Sequence, residues 1–236
     1  MRVRHKKHGA ERLAACSELL INSPEEIGEM PYGLEIGCGK GAFITQIASS
    51  DPGHSYVAVE IVRDVAVVAA EKIMATKGTD HPVENVRFIV AGAERLGDYI
   101  REGSISRIYI NHPDPWPRPA HMKRRLTYAS YLHMYWRFLK PDGEIWFKTD
   151  SRPLFDFSLR SFRENGFVTK DVTYDLVNSE YFASDVLTEY ERSFIEKGQP
   201  IHRCVAAKDP CYSLPDVEEP FVTIGRPPKE DGGSGS

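Results

Sequence analysis

The chain has 236 residues, of which 41% are apolar and 27% charged, and its net charge is −4. That length suits one large α/β domain or two small ones, and the apolar share fills a core, which excludes wholesale disorder. No apolar run nears the roughly 18 residues of a bilayer span, and the segment from Met1-Arg-Val-Arg-His-Lys-Lys-His8 to Leu20 is too short and too charged for a signal peptide, so neither membrane insertion nor secretion is expected.

In chain order, residues 11–21 read as a short helix, broken by Pro24 and Gly28. Gly33–Ile36 is a buried-type strand that runs into Gly37-Cys-Gly-Lys-Gly41, and the glycines open a helix over 42–49. Strand and helix then alternate. A strand is expected at 56–60, a helix at 65–76, a strand at 86–90, a short helix at 94–101 and a strand at 105–110. The last of these ends in a proline-rich loop, Pro113–Pro119. A helix at 126–139 stops at Lys140-Pro-Asp-Gly143, and strand 144–148, helix 154–164 and strand 167–172 follow. Residues 173–208 add a polar segment and a last strand near 202–207. The alternation predicts a doubly wound, mostly parallel sheet, whose ligands lie beyond the carboxyl ends of the strands. One domain over 1–208 is expected, with a basic arm over 1–10 and an acidic, proline-rich, extended tail over 209–236.

The tail carries six acids against two bases, so the body without it is neutral, with basic stretches at 2–7 and 118–125. Such local fields steer a polyanion. Cys16, Cys38, Cys204 and Cys211 form no C-x-x-C pair and no metal-like spacing with histidine. They fit a reducing, cytoplasmic setting, and no metal is expected.

The glycine loop Gly37-x-Gly39-x-Gly41, followed 21 residues after Gly39 by Glu60, suits a nucleotide whose ribose hydroxyls bond a carboxylate. By itself it fits NAD and S-adenosylmethionine alike. Glu35 favours the second, because an acid two residues before the first glycine suits an amino group and not a pyrophosphate. Alone, Glu35 would equally fit a half-exposed strand face. In the loop after the fourth expected strand, three prolines stiffen the chain around Asp114 and Trp116. A carboxylate and an indole are thereby presented to a base swung out of its stack. Arg118, His121, Lys123, Arg124 and Arg125 follow directly and suit phosphate contacts.

Glu35-Ile-Gly-Cys-Gly-Lys-Gly41, Pro113-Asp-Pro-Trp-Pro117, His121-x-Lys-Arg-Arg-Leu126, Thr149-Asp150 and Thr188-Glu-Tyr-Glu191 with Gly198-Gln199 stand in an order that resembles the bacterial single-chain tRNA (guanine-N7)-methyltransferase family. Arg2-Val-Arg-His-Lys6 also resembles the start of many members, and the resemblance runs to about Ala207. It implies a class I, Rossmann-like methyltransferase fold with a seven-stranded sheet, S-adenosylmethionine as cofactor, and a guanosine in the variable loop of tRNA as substrate. It also implies a monomer or homodimer. Glu35, Gly37, Gly39, Gly41, Glu60, Gly92, Ala93 and Asp114 would then bind the cofactor, with Asp114 catalytic. Arg118, Asp150, Thr188, Glu189, Tyr190 and Glu191 would hold the nucleoside, and residues 120–125 the RNA. Two departures stand out: Gly92 where the family has Asp for the adenine amino group, with Glu94 or a backbone carbonyl as the expected substitute, and Pro119-Ala120 in place of a basic pair.

Guanine N7 already carries an in-plane lone pair, so alignment and electrostatics are expected to outweigh a strong base. Asp114 could stabilise the growing purine charge or grip the N1–H and amino edge. Three alternatives stay open. Asn111-His-Pro-Asp-Pro-Trp116 loosely resembles the Asn/Asp-Pro-Pro-aromatic loop of exocyclic-amine methyltransferases, although Asp114 breaks that pattern. An NAD-dependent oxidoreductase is opposed by Glu35, and a non-enzymatic RNA-binding protein is supported only by Gly92.

Overall fold

A computed structural model describes residues 9–28 and 31–215. The basic residues 2–7 and the tail from 216 lie outside the described residues. The elements are α1 (Gly9–Ala14), β1 (Gly33–Ile36), α2 (Ala42–Ser50), β2 (Tyr56–Val59), α3 (Arg63–Met74), β3 (Val86–Ile89), β4 (Ile105–Asn111), α4 (Ala129–Phe138), β5 (Leu139–Thr149), α5 (Arg152–Glu164), β6 (Phe167–Thr173), α6 (Glu189–Glu196) and β7 (His202–Lys208). Short 3₁₀ turns, including Ala93–Asp98 and Pro119–Arg124, fill several connections.

The seven strands form one sheet in the order β3-β2-β1-β4-β5-β7-β6, with β7 antiparallel to both of its neighbours and the remaining pairs parallel. The mostly parallel, doubly wound sheet expected from the alternation is therefore present. Side-chain alternation explains why its strands read as short apolar runs with little polar interruption. On one face, Leu34, Ile36, Val57, Val59, Ile108, Ile110, Ile145 and Phe147 join a single buried cluster. On the other, Tyr56, Ala58 and Tyr109 pack with Phe43, Ile44, Ala69 and Ile73 from α2 and α3. Truncating one of these wholly buried side chains, such as Phe147, costs about 3–5 kcal/mol in transfer and cavity energy.

Three sequence expectations need correction. The helix expected over 11–21 ends at Ala14, because Leu20 bridges to Phe88 and the Ile21 amide donates to the Phe88 carbonyl at 2.8 Å. Extended backbone alongside β3 leaves no room for a continued helix. Lys140–Gly143 was expected as a stop between elements but lies within β5. Leu139 pairs with Ile105, the register then jumps to Glu144 opposite Arg107, and the intervening residues bulge out. Within the segment expected to be polar and irregular, α6 is a helix started by a reciprocal capping box between Thr188 and Glu191.

β7 ends at Lys208, and residues 209–215 return to the body: the Asp209 amide donates to the Gly166 carbonyl at 2.9 Å, and the Tyr212 ring lies over Gly166 and beside Trp136. The order of the strands reverses between β1 and β4, which places the crevice for a ligand at their carboxyl ends.

Candidate active site

The loop after β1 is shaped by glycine. Gly41 has φ +74°, and a Cβ there would stand 2.8 Å from the Ala69 Cβ, so α2 can start this close to α3 only without a side chain. Gly39, at φ +56°, turns its amide toward Glu60 at the end of β2, and Glu60 Oε2 accepts it at 3.0 Å. Glu60 Oε1 accepts from the Val62 amide at 2.8 Å. Two backbone donors thus fix the carboxylate, and its remaining lone pairs stay available on the cleft wall.

Glu35 is buried, with 2% of its surface exposed, so the half-exposed reading of this residue is wrong. Its Oε1 accepts from Asn111 Nδ2 at 3.2 Å, while Oε2 is enclosed and has no partner. Burial pushes its carboxyl up to about 7, despite the Asn111 bond and the nearby Lys148. Glu35, Gly37, Gly39 and Thr188 line a small pocket that meets a larger cleft of about 330 Å³ at Gly37, Asn111 and His112. Glu60, Gly92, Ala93, Glu94, Asp114 and Trp116 line that cleft, with Ile61, Val62 and Tyr131 as its apolar walls. Of the expected cofactor residues, all but Gly41 reach one of these two spaces; Gly41 lies beneath them against α3.

Asp114 is exposed at the cleft mouth. The loop that carries it is bent at two non-glycine residues with left-handed backbone, His112 at φ +47° and Trp116 at φ +41°. Arg125 ties the loop down, donating to the carbonyls of Pro115 at 3.1 Å and Trp116 at 3.2 Å. The Arg124 guanidinium stands 4.9 Å from the Trp116 ring centre, and the His121 ring meets the same indole edge-on. The basic cluster is therefore divided. Arg118, Lys123 and Arg124 are exposed, whereas Arg125 spends its donors on the loop.

Asp150 does not cap α5; Ser151 does, accepting from the Leu154 amide. Asp150 instead faces His112, whose imidazole bond holds its carboxyl below the usual range. Glu191 is fully buried, at the start of α6. Lys148 stands 2.9 Å from its Oε1, His112 Nε2 lies 3.0 Å from the same oxygen, and the Thr188 amide donates to Oε2. Although burial opposes it, these partners hold the Glu191 carboxyl at about 2. The side chains of Glu189 and Tyr190 lie outside the described residues.

Asn111, His112 and Lys148 escaped assignment from the sequence. Each sits at the carboxyl end of β4 or β5, and a polar residue ending a buried strand there was the available signal. Thr188-x-x-Glu191 is likewise a capping-box pattern that marks the start of α6. Among the described residues, no cluster of His, Cys, Asp and Glu could hold a metal ion, and no helix is long and apolar enough to cross a membrane.

A family model described as "Putative methyltransferase" matches residues 29–204. The chain is 40% identical to a tRNA (guanine-N(7)-)-methyltransferase of Geobacillus sp. (strain WCH70), over 86% of this chain and 94% of that one. It is 42% identical to the protein of the same name from Streptococcus sanguinis (strain SK36), over 88% of this chain and 99% of that one. Among solved structures, the 16S rRNA methyltransferase KamB aligns with a TM-score of 0.56 at 16% identity, covering 89% of this chain and 97% of its own. At that identity the likeness speaks to the fold alone.

Proposed function

This chain belongs to the tRNA (guanine-N(7)-)-methyltransferase family, and from that premise we propose that the crevice between β1 and β4 is where a guanosine of the tRNA variable loop meets the methyl donor. The enzyme transfers a methyl group from S-adenosylmethionine to N7 of a guanosine in tRNA.

The observation that carries the placement is Glu35 Oε2, a buried oxygen without a donor in a pocket that opens onto Asp114. Leaving such an atom unanswered is costly. An α-ammonium group at this point answers it and draws the carboxyl into its ionised form. Glu60 then suits the ribose hydroxyls, Ile61 and Val62 suit the faces of a base, and Glu94 accepts from an exocyclic amine. The residues present therefore fit the donor from its amino acid end to its adenine. Once bound, it supplies a methyl group on a positively charged sulfur.

Because guanine N7 has a free lone pair, the chain has no proton to remove before the bond forms. Its work is alignment and charge. Trp116, bent into place by its own backbone and braced by Arg125, offers the purine a flat wall. Asp114 faces the same space and stabilises the positive charge that the purine gains. Asp150, oriented by His112, keeps a second oxygen for the adjacent N1–H and amino donors of guanine, a pattern that adenine, with an acceptor at N1, does not offer. Arg118, Lys123 and Arg124 are exposed beside the cleft and suit tRNA phosphates. Glu191 holds the frame from within and does not touch the nucleoside.

The test is incubation with labelled S-adenosylmethionine and unmodified tRNA, followed by strand cleavage specific for 7-methylguanosine. Label and cleavage are expected at one guanosine of the variable loop. Cleavage elsewhere would refute the proposed position, and label without cleavage would refute N7 as the acceptor.

A further inference from the structure

His112 holds two carboxylates at once. Its Nε2 lies 3.0 Å from Oε1 of Glu191 and its Nδ1 3.4 Å from Oδ1 of Asp150. A neutral imidazole has a single N–H, so it would turn a lone pair toward one of these acids; only the imidazolium donates to both. The ring is 7% exposed, with the Phe194 ring at 5.5 Å, so water cannot readily take the place of either bond.

With that proton in place, the ring offsets charge on the acids gathered around it. From the end of β5, Lys148 and the following Asp150 face it, from α6 Glu191, and from β1 Glu35 lies beyond the neighbouring Asn111. Behind them, Lys148 reaches Asp185 at 2.6 Å, and Asp185 bonds Arg203 at 3.0 Å. His112, Lys148 and Arg203 thus stand against Asp150, Glu191, Asp185 and the partly exposed Asp171, 3.9 Å from Arg203. Losing the imidazolium proton would leave an unanswered negative charge in a mostly buried network.

The same residue starts the loop of Asp114. His112 has left-handed backbone and donates its amide to the Lys148 carbonyl at 2.8 Å. Few residues other than glycine adopt that conformation, and histidine is among those that do. We propose that His112, as an imidazolium, is a positioning residue that latches the Asp114 loop to β5 and α6 and orients Asp150 toward the nucleoside. The inference rests on the assignment of the cleft above and adds an alkaline limit to the reaction. Burial by itself would lower the imidazole pKa, but the bonds to Asp150 and Glu191 outweigh it and raise it above the ordinary 6.5. The latch therefore holds to higher pH than an ordinary imidazolium would and opens as pH rises through that raised value.

The test compares kcat/KM for tRNA against pH in the wild type, His112→Gln and His112→Phe, with donor affinity and thermal melting measured on each. The wild type should show an alkaline limb. His112→Gln, a donor without charge, should lose that limb and fall by roughly tenfold at neutral pH, with donor affinity held within about twofold. His112→Phe should fall further. An alkaline limb kept in both variants, or full activity in His112→Phe, would overturn the latch. Nitrogen-15 spectra of ring-labelled wild-type protein give a reading that needs neither variant nor tRNA. Two protonated ring nitrogens at neutral pH are expected, and a neutral tautomer there would overturn the proposal even if 7-methylguanosine is made. Absence of 7-methylguanosine with an imidazolium present would instead strike the assignment of the cleft.

Discussion

The carboxylate of Glu94 folds back over the α-carbon of Gly92 and fills the space where any side chain at residue 92 would begin. An acid at residue 92 and this placement of Glu94 therefore exclude each other sterically. Under the proposed placement of the donor, Glu94 is the side chain that would accept from the adenine amino group. Glu94→Ala should weaken S-adenosylmethionine binding by roughly 10–100-fold, the worth of one hydrogen bond to a charged group. Gly92→Asp should displace the Glu94 carboxylate at little cost in stability, and Gly92→Asp combined with Glu94→Ala should regain donor affinity. Calorimetric titration and melting of the three variants check this; additive losses in the double variant would contradict it.

Glu35 gives a pH dependence of known sign. In the unfolded chain it ionises near 4.5, and in the fold at about 7. Between these values the unfolded state has released a proton that the fold retains. Its contribution to stability therefore falls as pH rises across that window and is flat above it. Glu35→Gln removes the fall, so its melting temperature relative to wild type should climb from about pH 5 to about pH 8. Donor affinity of the wild type should rise over the same window as the carboxylate forms, and the variant should bind poorly throughout.

Arg125 and Lys123 are neighbours in sequence with different tasks. Lys123 is exposed beside the cleft, whereas Arg125 bonds the carbonyls of Pro115 and Trp116. Lys123→Ala should weaken tRNA binding and lower the slope of log K against log salt by roughly 0.7–0.9, the signature of one lost phosphate contact. Arg125→Ala should leave that slope unchanged and lower kcat, because the loop loses its brace. Binding isotherms at several salt concentrations, with single-turnover rates, separate the two.

Glu191 shares a buried network with Lys148 and His112. Glu191→Ala removes the buried carboxylate that Lys148 and His112 share, leaving them Asp185 and Asp150, and should cost up to about 3–5 kcal/mol of stability. Chemical denaturation reads this directly. Where the variant remains folded, its preference for guanosine should be that of the wild type; a change of base preference would return Glu191 to the nucleoside contacts.

The sheet was legible in the sequence because its inner parallel strands place apolar residues on both faces, and the glycine loop with Glu35 and Glu60 marks the crevice at its edge. α6 was obscured by the polar residues between Asp185 and Gln199, although Thr188 and Glu191 form a capping box there. The sequence shows Glu191 as one acid in a charged motif. Only the packing of α6 against the ends of β4 and β5 brings His112 and Lys148 to it and removes it from the surface. Arg125 is similar: a run of bases reads as one patch, yet a 3₁₀ turn over Pro119–Arg124 points its last neighbour back at the loop. Partners distant in the chain decided the first case and the path of a short turn the second, and residue spacing carries no record of either.

The most direct measurement is single-turnover formation of 7-methylguanosine by Asp114→Ala, with tRNA and S-adenosylmethionine saturating and the donor Kd determined separately. A carboxylate acting on the purine's growing charge predicts a rate lower by roughly two to three orders of magnitude with donor affinity nearly unchanged. A wild-type rate under those conditions would contradict it.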